Sequence, residues 1–186
     1  MTIFLVRHPP VVTAWQKRCY GQSDPGLSRH GQSMIAPLVA ELASLQPDVV
    51  VHSGMRRTRA VAEALARSVG VRCIEEPLWR ERDFGQWEGK TWNAVYRASG
   101  NAMDGMIDAP TVFRPGATGE TTAELVQRVR LALSQIKRGT ITVIVSHGGP
   151  IAAARMHVRK QPYDQLPQLI LGPGTYCRLD ETVDKP

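Results

Sequence analysis

Two runs of consecutive β-branched and aliphatic residues, Ile3 to Val6 and Ile141 to Val145, constrain this chain more than any other feature. A strand wetted on one face alternates apolar with polar residues, whereas a strand without alternation is covered on both faces, as in a largely parallel sheet between helical layers. Val49 to Val51 and Val71 to Ile74 read as two more strands, and Tyr176 to Leu179, after the breaker Gly172-Pro173-Gly174, as a last one. Between these runs the period becomes helical. Met34, Ile35, Leu38, Val39, Leu42 and Leu45 share one helical face, as do Leu125, Val126, Val129, Ala132, Leu133 and Ile136. Pro37 predicts a kink in the first of these helices or a start close before it. Thr121 and Glu124 form a capping box for the second, with Gly139 as its stop. A further helix is expected from Met55 to Val69. Alternating strands and helices predict an α/β fold, a three-layer α/β/α sandwich with a largely parallel central sheet. One domain over residues 1–186 is expected. Residues 92–118 hold Trp92, Tyr96, Met103, Met106 and Phe113 among Gly and Pro, fit neither period, and read as a lid-like insertion over one end of the sheet.

Composition excludes several classes of function. The chain has 42% hydrophobic and 22% charged residues, too apolar and too evenly charged for a disordered hub. No apolar run approaches the roughly 20 residues that span a bilayer, and no basic segment precedes Ile3 as in a signal peptide. The expected location is the cytoplasm, in agreement with three scattered cysteines, Cys19, Cys73 and Cys177, that form no Cys-x-x-Cys pair. The net charge of +6 points to an anionic partner. It is spread evenly, however, with 12 basic and 9 acidic residues in positions 1–93 against 11 and 8 in 94–186. Without a basic block or tail, a small phosphorylated substrate explains the excess and a nucleic acid is not expected.

In open α/β sheets, ligands gather at the carboxyl ends of the strands. The first strand ends in Arg7-His8-Pro9-Pro10, the second in His52-Ser53-Gly54 before Arg56-Arg57, and the run 141–145 in Ser146-His147-Gly148-Gly149. Histidines and arginines thus converge on one edge. Forked guanidinium donors neutralise a phosphoryl group, glycines at a strand-to-helix turn let backbone amides approach it, and a neutral imidazole flanked by arginines is a nucleophile. No cluster has metal-ligand spacing, and no cofactor is expected.

Five ordered motifs carry a resemblance: Leu5-Val6-Arg7-His8; Leu27-Ser28-Arg29-His30-Gly31; Ser53-Gly54-Met55-Arg56-Arg57; Leu78-x-x-Glu81-x-x-Phe84-Gly85-x-Trp87-Glu88-Gly89; and Val145-Ser146-His147-Gly148-Gly149. Over residues 3–155 the chain resembles the histidine phosphatase superfamily, also called phosphoglycerate mutase-like. The resemblance implies a metal-independent phosphomonoesterase in which His8 is the phosphorylated nucleophile. Arg7, Arg57 and His147 would complete the phosphate pocket, Glu81 would be the proton donor, and Gly21 and Gly148 would line the substrate side. Two positions depart from the family pattern: Pro9 replaces the usual glycine after Arg-His, and Ala14 stands where mutases especially carry an asparagine. Cys19-Tyr20-Gly21-Gln22-Ser23-Asp24 resembles the α-ribazole phosphatase-like branch linked to cobalamin synthesis, which makes α-ribazole 5′-phosphate one candidate substrate. A phosphoglycerate mutase and a catalytically silent module that binds phosphorylated ligands or proteins are the alternatives.

Other conspicuous residues have plainer readings. Arg29-His30-Gly31 copies the signature but opens a polar helix, so it is expected at the surface. His52 is expected to be structural and His157 to face solvent. Arg59, Glu63 and Arg67 recur every four residues as a solvated ion-pair ladder, with Arg56 opposite the apolar face. Glu88 is expected to anchor a turn. The aromatic and methionine side chains of 92–118 could pack a lid or meet substrate.

Overall fold

The computed structural model describes residues 2–179. Their strands are β1 (Thr2–Arg7), β2 (Val49–His52), β3 (Arg72–Glu75), β4 (Ile141–Ser146) and β5 (Tyr176–Arg178). The helices are α1 (Thr13–Gln16), α2 (Arg29–Ser33), α3 (Ile35–Ala43), α4 (Arg56–Val69), α5 (Trp92–Ser99), α6 (Gly105–Asp108), α7 (Thr122–Ser134) and α8 (Gly148–Val158).

The strands form one sheet in the order β3-β2-β4-β1-β5, parallel throughout except for β5, which runs antiparallel to β1. The two unalternating runs, β1 and β4, lie side by side in its centre, where both faces are covered. Ile3, Leu5 and Ile144 pack with Leu125 and Val129 of α7 and Ile151 of α8. Val6, Val143 and Val145 pack on the other face with Leu38 and Leu42 of α3 and Val61 and Leu65 of α4. This is the expected three-layer sandwich. Val71 to Ile74 was expected to be a strand like the others, but β3 is the sheet edge and each of its residues is exposed.

Local signals explain the helix ends. α3 begins two residues before Pro37, so the proline falls in the first turn, where its missing N–H has no intrahelical acceptor to lose. Ser28 caps α2 by accepting from Gly31 N–H, and Thr121 and Glu124 make the capping box of α7. That helix ends at Ser134, short of the expected stop. Gly139 instead adopts φ +80 in the turn that leads into β4. The segment 92–118 is more regular than its sequence suggested, because Thr91 caps α5 through Ala94 N–H. Trp92, Met103, Met106 and Phe113 join Cys19, Phe84, Trp87 and Val95 in a small apolar cluster separate from the two sheet faces.

The connections that leave β1 and β4 go to opposite faces, toward α3 and α8 respectively. A crevice therefore opens beyond the carboxyl ends of these neighbours, the position where open α/β sheets hold ligands.

Candidate active site

In-register pairing of Arg7 with Ser146 and a hydrogen bond from His8 N–H to the Ser146 carbonyl (3.1 Å) set the two motif histidines side by side. Their ring centroids are 5.1 Å apart, and the rings are 1% and 0% exposed. His8 Nδ1 lies 2.7 Å from the carbonyl oxygen of Pro9. A carbonyl only accepts, so Nδ1 carries the proton and Nε2 the lone pair. The contact uses the carbonyl of residue 9, which proline keeps, so this departure from the family pattern leaves it intact. Burial, followed by the charge of Arg57 and then that of Arg7, lowers the His8 pKa to about 3. His8 is a neutral base throughout the physiological range.

His147 is held by a chain of bonds whose directions are all fixed. The Thr58 hydroxyl donates to the Met55 carbonyl (2.8 Å), so it accepts from the Ser53 hydroxyl (2.9 Å). The Ser53 oxygen then accepts from His147 Nε2–H (2.8 Å), while Arg57 Nε–H donates to His147 Nδ1 (3.2 Å). Both ring nitrogens are engaged inside the protein, and burial, then Arg57, then His8 push the pKa of His147 well below its ordinary value. In this arrangement one ring nitrogen of His147 contacts Arg57, the other member of the predicted pocket beside it.

Arg57, on the first turn of α4, is fully buried and donates to the carbonyls of Gly21 (2.8 Å) and Ser23 (2.7 Å) and to Asp24 Oδ1 (3.3 Å). Arg7 carries a buried Nε without a hydrogen-bond partner among the described residues, a donor that an oxyanion would satisfy. Glu81 Oε1 accepts from the backbone N–H groups of Arg82 (2.9 Å) and Gly149 (3.1 Å). The Gly149 amide at the start of α8, expected to approach phosphate, thus orients Glu81. A Cβ at Gly149 would stand 2.5 Å from Glu81 Oε1, so only glycine allows this approach. Gly21 is more tightly constrained, since a Cβ there would meet a backbone atom, the Arg82 carbonyl oxygen, at 2.2 Å.

A cleft of about 450 Å³ adjoins these groups. Arg7, Tyr20, Gly21, Glu81, Gly148 and Gly149 belong to its lining, as do Trp92, Met103 and Met106 of the 92–118 segment. Those three side chains therefore serve both as a small core and as a lining. Tyr96, 59% exposed, does neither.

Tyr20 was not singled out by the sequence reading, although it lay in a quoted motif. Its ring covers the Arg57 guanidinium at 5.2 Å and stands edge-on to His8 at 6.5 Å. Ser53 and Thr58 were likewise missed as partners of His147. The one available signal was a hydroxyl directly after a strand end.

The remaining residues lie where their plainer readings put them. His30 and His157 are exposed, and buried His52 accepts from Gly54 N–H (3.0 Å). Arg59, Glu63 and Arg67 form the ladder, and Arg56 is exposed beside Asp24. Glu88 anchors the 20–24 turn by accepting from the backbone N–H groups of Gln22 and Ser23, both at 2.8 Å. Exposed Ala14 offers no polar side chain.

Comparison with known proteins gives the family. The profile of the histidine phosphatase superfamily (branch 1) matches residues 3–186, and the chain belongs to that family. A relative from Serratia proteamaculans (strain 568), described as probable phosphoglycerate mutase GpmB, is 32% identical over 152 residues, covering 80% of this chain and 70% of the relative. The solved mycobacterial glucosyl-3-phosphoglycerate phosphatase Rv2419c, in complex with VO3, superposes with a TM-score of 0.82 at 25% identity, covering 95% of this chain and 90% of that one. The alpha-ribazole phosphatase from Shigella flexneri shares the fold, with a TM-score of 0.84 at 18% identity over 97% of this chain and 90% of its own. Among the described residues no helix is long and apolar enough to cross a membrane.

Proposed function

We propose that the protein is a metal-independent phosphomonoesterase that works through a phosphohistidine on His8. The observation that carries this reading is the His8 tautomer: Nδ1–H is fixed on the Pro9 carbonyl and the lone pair is left on Nε2 beside two arginines. In the first step Nε2 attacks phosphorus, the ester P–O bond breaks, and Glu81 delivers its proton to the departing alkoxide oxygen. The phosphorylated ring is cationic and keeps its Nδ1–H bond to Pro9. In the second step Glu81 takes a proton from water, whose oxygen attacks phosphorus while the P–N bond breaks. Arg7 and Arg57 supply positive charge to the equatorial oxygens throughout, and His147 holds Arg57 in place. His8 is 1% exposed and the Tyr20 ring stands edge-on to it, so we infer that this ring moves aside when a phosphoryl group reaches Nε2.

The substrate is a small phosphorylated metabolite handled in the cytoplasm, and the Cys19–Asp24 segment makes α-ribazole 5′-phosphate one candidate. The relatives described as probable phosphoglycerate mutases favour a second reading, in which the phosphoryl group returns to a bound sugar acid. One experiment tests both readings. Labelled substrate is mixed with the protein in EDTA and quenched without acid. The expected product is an alkali-stable, acid-labile adduct that is absent in His8→Ala and discharged to water. Discharge to glycerate supports the mutase, and equal labelling of His8→Ala overturns the nucleophile.

A further inference from the structure

The phosphate chemistry says nothing about the alcohol half of the ester, but the rest of the cleft does. Besides Arg7 and Glu81, its lining includes Trp92, Met103, Met106 and Ile107 from the 92–118 segment and Leu166 and Ile170 from the chain after α8. Apart from Arg7 and Glu81, the charged residues of the lining are Arg18, Arg82 and Asp104. Arg82 is 5% exposed, and its three guanidinium nitrogens are committed to the Glu120 carbonyl (3.1 Å), Met106 Sδ (3.2 Å) and the Thr122 hydroxyl. Two nitrogens of Arg18 donate to the carbonyls of Ala14 (3.0 Å) and Gly89 (2.6 Å), and Asp104 brings an opposite charge to the same cleft.

A second anionic group on the substrate would therefore lose its hydration against thioether, indole and aliphatic carbons and meet in return at most one guanidinium nitrogen, Nη2 of Arg18, and no fork. A three-carbon acid would also leave much of about 450 Å³ unfilled. We infer that the site selects phosphate monoesters of large uncharged alcohols carrying a flat apolar ring, against small carboxylated sugar phosphates, and that the apolar walls around Ile107 and Ile170 make this selection. The inference rests on the proposed phosphatase site for its phosphate end only.

Binding of non-hydrolysable phosphonates by calorimetry tests it without turnover. The full chain is titrated with 3-phenylpropylphosphonate, propylphosphonate and 3-phosphonopropionate, which share the phosphate-like end and differ only in the far group. The phenyl compound is expected to bind about 10- to 100-fold more tightly than the propyl compound, the advantage of taking one phenyl ring out of water, and the carboxylate to bind most weakly. Ile170 is 44% exposed, so Ile170→Lys places a cation on the wall without emptying a core. It should erase the phenyl advantage and strengthen the carboxylate, and Ile107→Lys should do the same. Equal affinities in the wild-type protein, or a preference for the carboxylate, overturn the inference whatever the variants do. If the expected ranking appears in a protein that hydrolyses none of the matching phosphate esters, the selection stands and the phosphatase reading falls. A carboxylate preference in an active hydrolase has the opposite meaning.

Discussion

The neutral state of His8 has a measurable consequence for stability. Its pKa falls from 6.5 in a free imidazole to about 3 in the fold, so between these values the unfolded chain binds a proton that the folded chain refuses. Folding stability therefore declines as pH falls through 6.5 toward 3, and above pH 7 the group contributes almost nothing. Each pH unit inside the window is worth about 1.4 kcal/mol, which sums to about 2 kcal/mol between pH 7 and pH 5. For a chain of this length that corresponds to a fall in Tm on the order of 5 °C. His147 is shifted in the same direction, so the wild-type protein alone cannot separate the two. His8→Gln can, because it removes one titrating group and keeps the other. Urea unfolding of both proteins at half-unit steps from pH 7 to pH 5 should show the wild type losing about 2 kcal/mol more than the variant over this range. Parallel curves would mean that the fold does not hold His8 neutral, and the argument for its Nε2 lone pair would fail with it.

Three further outcomes follow from particular contacts. Gly149→Ala drives a methyl group toward Glu81 Oε1 and should slow hydrolysis of alkyl phosphates about 100-fold, with a smaller loss on nitrophenyl phosphate, whose leaving group needs no proton. Glu81→Gln should reproduce that pattern, and equal losses on both substrates in the two variants would assign proton transfer to another group. Ser53→Ala leaves His147 Nε2–H and the Thr58 hydroxyl short of a partner, which should cost about 1–3 kcal/mol of stability, read by denaturant unfolding; an unchanged midpoint refutes the assigned chain of donors. Tyr20→Ala removes the ring from Arg57 and His8, so orthovanadate should associate several-fold faster in stopped-flow inhibition, and an unchanged rate would show that Tyr20 does not control entry.

The parts of this protein that could be read from the sequence are those in which one residue type has few alternatives. Unalternating β1 and β4 require cover on both faces, and residues at their carboxyl ends are brought to one crevice by the sheet itself. Caps are local, so Thr121 and Glu124 were legible within four residues. The run Arg80-Glu81-Arg82-Asp83 was not, because it reads as an ordinary exposed charge cluster. In the fold Arg80 is exposed and Arg82 is buried on partners up to 40 residues away in sequence, which no local period records. The engagement of His147 had the same cause. Its sequence neighbours suggest a ligand for phosphate, but its hydrogen-bond partners come from the end of β2 and the first turn of α4.

The anchoring around Tyr20 determines what kind of motion can open the site. On its N-terminal side, Cys19 N–H donates to the Lys90 carbonyl (2.9 Å), and Gly89 N–H donates to the Cys19 carbonyl (2.7 Å). On its C-terminal side, Arg57 holds the Gly21 and Ser23 carbonyls while Glu88 holds the Gln22 and Ser23 amides. The backbone is thus tied on both sides of a single residue. A loop that swung as a unit would have to release buried bonds to two charged groups, each stronger than a neutral pair, together with two backbone bonds. Rotation of the Tyr20 side chain about χ1 releases its contact with Arg57 and its edge-on packing against His8. The Arg57 guanidinium that the ring covers is a charge a phosphoryl dianion would approach, while its nitrogens stay on His147, Gly21 and Ser23. A backbone tied on both sides of Tyr20 would keep Gly21 and Arg57 in place while the ring alone gave way to ligand.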